Sequence, residues 1–91
     1  MAVSVRIPTP LRGLTKNQET VQADGSSLSE AINGLDSSFP GLKERICDEQ
    51  GELRRFVNVY INGEDVRFLS GLKTPLKQGD EVSIVPAVAG G

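Results

Sequence analysis

Apolar and polar residues alternate from Ala2 to Ile7, which puts Val3, Val5 and Ile7 on one face of a strand. Pro8 and Pro10 end that pattern, because proline has no N–H to give a ladder. After a long connection through Gly13 and Asn17, Glu19–Ala23 reads as a second short strand and hairpin partner of the first. Asp24-Gly25 is a turn, and Ser27-Leu28-Ser29-Glu30 matches a helix capping box. Leu28, Ala31, Ile32 and Leu35 then recur at helical spacing and form one apolar stripe. Gly34 weakens the helix, which should end by Ser37-Ser38, before Pro40. Leu42 and Ile46 mark a second short helical turn, with Cys47 beside them as a small core residue.

The second half is strand-rich. Arg55–Ile61 carries the strongest strand pattern, with Val57, Val59 and Ile61 on one face and Phe56, Asn58 and Tyr60 on the other. Asn62-Gly63 is a hairpin turn, and Val66-Arg67-Phe68 reads as a short strand after it. Gly71–Lys77 is irregular, anchored by Leu72 and Leu76, and Gln78-Gly79-Asp80 turns into a last strand over residues 81–85 with Val82 and Ile84 inward. The order hairpin, helix, three strands predicts an α+β fold, a mixed sheet covered on one face by one main helix. The first and last strands are connected through that helix and so can pair in parallel.

Composition narrows the chemistry. The 91 residues fit one domain, taken as residues 1–86, with 87–91 as a flexible C-terminal tail. Ten Lys and Arg stand against twelve Asp and Glu without a basic cluster, so nothing here makes the footprint of a nucleic-acid binder. A single cysteine excludes an intrachain disulfide and suits a reducing compartment; with no leader pattern or membrane-length apolar run, the cytoplasm is expected. The absence of histidine removes the Ser-His-Asp and Cys-His arrangements and the commonest metal ligand, so no metal site is expected. The chain is therefore poorly equipped to be an enzyme by itself.

What it does carry is the ending Pro86-Ala87-Val88-Ala89-Gly90-Gly91. A Gly-Gly tip has no Cβ and the smallest cross-section a peptide can present. Extended, residues 87–91 reach roughly 17 Å at ~3.3–3.6 Å per residue, enough to thread a terminal carboxylate into a partner's active site. Phe56 and Tyr60 point away from the helix-covered side, with Phe68 and Val85 expected nearby, and this group is the expected partner surface.

These residues carry a resemblance. Arg55–Phe68 resembles the central strand and turn of MoaD/ThiS-type sulfur carriers, Thr74–Lys77 with Gly79–Val82 is similar to the segment before their last strand, and Pro86–Gly91 to their tail. The resemblance implies the ubiquitin-like β-grasp fold. It also implies that a partner of the E1-like adenylating and sulfurtransferase type uses ATP to activate Gly91, with Gly90 behind it. The product carries covalent sulfur as a thiocarboxylate, and no cofactor is bound by the chain itself. Ala87, Val88 and Ala89 join the partner-binding group on the same ground. Within the family the tail and central strand are nearest the carriers of cysteine biosynthesis, so a cysteine synthase is the first sulfur acceptor implied. The alternatives are the small, sulfur-carrying subunit of molybdopterin synthase, docked on its large subunit, and a ubiquitin-like protein modifier attached through Gly91.

Overall fold

A computed structural model describes residues 2–55 and 57–86. Five strands form one sheet in the order β2-β1-β5-β3-β4: β1 is Ala2–Arg6, β2 Thr20–Asp24, β3 Val57–Ile61, β4 Glu64–Asp65 and β5 Glu81–Pro86. β1 and β2 form an antiparallel hairpin from Ala2↔Asp24 to Arg6↔Thr20. β5 lies parallel to β1 on one side and antiparallel to β3 on the other. The parallel pairing expected from the sequence is present, and the fold is the ubiquitin-like β-grasp.

One helix, α1 (Leu28–Ser38), crosses one face. Its stripe of Leu28, Ala31, Ile32 and Leu35 is buried against Val3, Val5, Val59, Val82 and Ile84 of the sheet. The Ser27 hydroxyl accepts from the Glu30 N–H at 3.3 Å, as the capping box requires. The Glu30 carboxylate, however, reaches back past the cap to the Ser26 N–H and hydroxyl, each at 3.1 Å from Oε1. The turn before it must be glycine: a Cβ on Gly25 would stand 2.6 Å from the Ala31 nitrogen. The helix passes through Gly34 and ends before Phe39 and Pro40. α2 (Leu42–Ile46) follows and places Leu42, Ile46 and Cys47 in the same core.

Two segments depart from expectation. The connection after Pro8 is ordered as a 3₁₀ helix over Thr9–Thr15, ending on left-handed Lys16 and Asn17. Val66–Phe68, expected as a strand, is a 3₁₀ turn. β4 stops at Asp65 because its carboxylate accepts the Arg67 N–H at 2.8 Å, and that side-chain cap bends the backbone out of the ladder. The Asn62-Gly63 turn has φ of 53° and 88°, the left-handed pair a two-residue hairpin demands.

Asp80 ties the loops to the sheet. Its carboxylate accepts from the Lys77 N–H at 2.8 Å and the Asn62 side-chain amide at 3.0 Å, and its carbonyl accepts from the Ser4 N–H at 3.0 Å. The Asn62 side chain returns an acceptor to the Glu81 N–H at 3.0 Å. The Lys77 and Asn62 hydrogen bonds hold the Asp80 carboxyl below its ordinary pKa.

Two outcomes follow for stability. Ile32→Ala should lose about 2–5 kcal/mol by urea denaturation, as large-to-small changes in a packed core do, and a loss below about half a kcal/mol would show the stripe is not core. Asp80→Asn should cost about 1–3 kcal/mol near neutral pH, where the carboxylate is ionised and accepts both bonds. Because its folded pKa is depressed, that contribution is complete above the unfolded value of about 3.9 and is lost as pH falls through the folded one. The stability gap between wild type and variant should therefore close on acidification; a gap independent of pH would contradict this role.

Candidate functional site

The sheet face not covered by α1 is open. Ser4 and Arg6 from β1, Gln22 from β2, Asn58 and Tyr60 from β3, and Glu81, Ser83 and Val85 from β5 alternate with the buried residues and belong to it. This face is mostly polar. Gln22 donates to the Ser4 hydroxyl at 3.1 Å, and Arg6 stands 3.7 Å from Glu19 and 3.8 Å from Glu81. These ion pairs are more than half exposed and contribute little to stability.

Tyr60 and Val85 both lie on the open face. Asn58 is the partner of Val85 and Ser83 the partner of Tyr60, which places the tyrosine diagonal to the valine. Val85 is 42% exposed. Phe68 is on the 3₁₀ turn that follows β4 and is 88% exposed; Leu69 beside it is 42% exposed and is not marked by the sequence pattern. The exposed apolar residues thus come from two elements, the sheet face and the turn after β4. Phe56, Ala87, Val88, Ala89, Gly90 and Gly91 lie outside the described residues.

The end of β5 is the feature that gives this face direction. Strand β1 leaves the sheet after Arg6, and a groove of about 460 Å³ opens between Pro8, Pro10 and Arg12 on one side and Ser83–Val85 on the other. Arg12 Nε donates to the Ile7 carbonyl at 3.1 Å and closes one wall.

Cys47 is buried, and its pKa is raised by loss of solvation, with Asp48 adding to the rise and Lys43 and Arg54 opposing it; the thiol stays protonated and inert. No cluster of His, Cys, Asp or Glu among the described residues could hold a metal ion. No helix among them is long and apolar enough to cross a membrane.

Known proteins match this chain, some of them over its whole length. The chain is 50% identical over 93 residues to "Sulfur carrier protein CysO" of Mycobacterium tuberculosis, with all of both chains covered. A chain in the crystal structure of the Amycolatopsis orientalis BexX/CysO complex superposes with a TM-score of 0.92 at 47% identity, covering 98% of this chain and 99% of that one. Small archaeal modifier protein 3 of Haloferax volcanii is 40% identical over 68 residues, covering 75% of this chain and 73% of its own. Residues 5–91 match the ThiS family, and this chain belongs to it.

Proposed function

We propose that this protein is a sulfur carrier whose reacting atoms are those of the Gly91 carboxylate. The observation that carries the reading is the full-length identity of 50% to a protein named as a sulfur carrier, in a chain that carries Gly90-Gly91. The body supports it by what it omits: the thiol is buried, and the chain contains no histidine.

A terminal carboxylate, with a reference pKa near ~3.5, is ionised at neutral pH and is a poor electrophile. In the hands of an E1-like partner, a Gly91 oxygen attacks the α-phosphorus of ATP and pyrophosphate leaves, giving an acyl-adenylate. Hydrosulfide-level sulfur then attacks the acyl carbon and AMP leaves with the bridging oxygen. The product is a thiocarboxylate, formed without net oxidation or reduction. Its sulfur is anionic and nucleophilic for the same reason thiolates are. Catalytic groups belong to the partners, and the chain is a co-substrate rather than an enzyme. We assign the sulfur to cysteine synthesis, because a relative matched end to end is named CysO, and the working compartment to the cytoplasm, where a lone thiol stays reduced.

The similarity to a small archaeal modifier protein favours one second reading, attachment of Gly91 to lysines of other proteins. Adenylation is common to both, so the fate of Gly91 separates them. Intact-mass analysis of protein from cells that hold its activating enzyme should show a fraction with one oxygen replaced by sulfur. Fragmentation should place the change on Gly91. Cys47→Ser should keep that fraction, and deletion of Gly91 should abolish it without altering the unfolding midpoint. Isopeptide links from Gly91 with no sulfur-bearing form would make the modifier reading the correct one.

A further inference from the structure

The tripeptide Ile-Asn-Gly occurs twice, at Ile32–Gly34 and at Ile61–Gly63. Asparagine before glycine is open to self-cyclisation, because a following residue without a Cβ lets its amide nitrogen reach the asparagine Cγ. The two copies are alike in local sequence, so the fold decides what each can do.

Asn33 lies inside α1, where the Gly34 N–H belongs to the helical ladder and cannot turn toward the side chain. Asn62 has no helix around it. It is exposed on the hairpin turn, and a Cβ on Gly63 would meet no atom within 4 Å, so a ring and a water both have room. Its side chain is what holds it. Nδ2 donates to Asp80 Oδ1 at 3.0 Å and Oδ1 accepts from the Glu81 N–H at 3.0 Å, which clamps both ends of the amide on the entry to β5. The Asn62 N–H adds a bond to the Glu81 carbonyl at 2.8 Å. Asp80 is buried and is itself fixed by the Lys77 N–H.

We propose that Asn62 is a site of spontaneous deamidation and that the Asp80 carboxylate is the latch that keeps it closed in the folded protein. When the latch opens, the Gly63 nitrogen gives its proton to solvent base and attacks Asn62 Cγ. The Cγ–Nδ2 bond breaks and ammonia leaves. Water then opens the succinimide at either carbonyl, giving aspartate or isoaspartate with no change in oxidation state. Neither product fits the clamp. Aspartate puts an oxygen where Nδ2 donated, 3.0 Å from Asp80 Oδ1, and two ionised carboxylates that close repel. Isoaspartate adds a methylene to the backbone of a two-residue turn and disturbs the Ile61↔Glu64 register.

The test holds the full-length protein at mildly alkaline pH, folded in buffer or unfolded in urea, while mass mapping follows the exchange of NH₂ for OH at each asparagine. In urea, Asn33 and Asn62 should react at similar rates. Folding should slow both, and Asn62 by about tenfold or more, as a hydrogen bond to a charged group can. Asp80→Ala should return most of that factor to Asn62 while Asn33 stays within about twofold of its wild-type rate, because the opening is local. Asp80→Asn keeps the shape and an acceptor oxygen; it serves if the alanine variant does not fold, and should accelerate Asn62 less but in the same direction. An Asn62 rate that is equal in folded and unfolded protein, or unmoved by either substitution, would overturn the latch. Acceleration of Asn33 together with Asn62 would also overturn it, since that reports global unfolding. No reaction at Asn62 in urea would overturn the site itself.

Discussion

β5 can occupy the centre of the sheet only if the backbone groups on both of its edges find partners. An unpaired buried amide or carbonyl costs as much as a lost hydrogen bond. The parallel edge is supplied by β1 and the antiparallel edge by β3, strands separated by the helix and both of its connections. Everything that brings those two strands to the same place is therefore a condition for the site. α1 supplies the apolar surface they share, and Asp80 joins the Asn62 turn to the start of β5. Satisfying the edges of β5 also places Val85 at the corner beside Pro8 and Arg12.

That arrangement divides labour in a way the chemistry explains. A terminal carboxylate needs no side chain nearby to be carried from one enzyme to another; it needs an exit from the fold and a body to be recognised by. The body keeps its single thiol buried and protonated, out of reach of competing sulfur chemistry. The exposed apolar surface of that body is mixed, with Val85 on a largely polar face and Phe68 and Leu69 on the turn after β4.

Strands whose two faces differ were legible in the sequence because a period of two records the difference directly. Val3, Val5 and Ile7, or Val57, Val59 and Ile61, needed no other information. The helix start was legible from Ser27 and Glu30, whose roles depend on residues within four positions. What escaped was set by side chains acting on distant backbone. Val66–Phe68 looks like a strand until Asp65 caps it, although an aspartate two residues before the turn's amide was a usable signal. Arg67 reaches carbonyls ten and thirteen residues away, and no periodicity encodes that. Phe68 is on that same turn rather than on a strand.

The central claim is that an oxygen of the Gly91 carboxylate becomes the bridge to AMP and is then exchanged for sulfur. It is tested most directly by giving the activating enzyme carrier labelled with heavy oxygen at both Gly91 carboxylate positions, together with unlabelled ATP and a sulfur donor. The account predicts that each AMP released carries one labelled oxygen and that the thiocarboxylate product keeps the other. Unlabelled AMP, with sulfur appearing anywhere but Gly91, would contradict it.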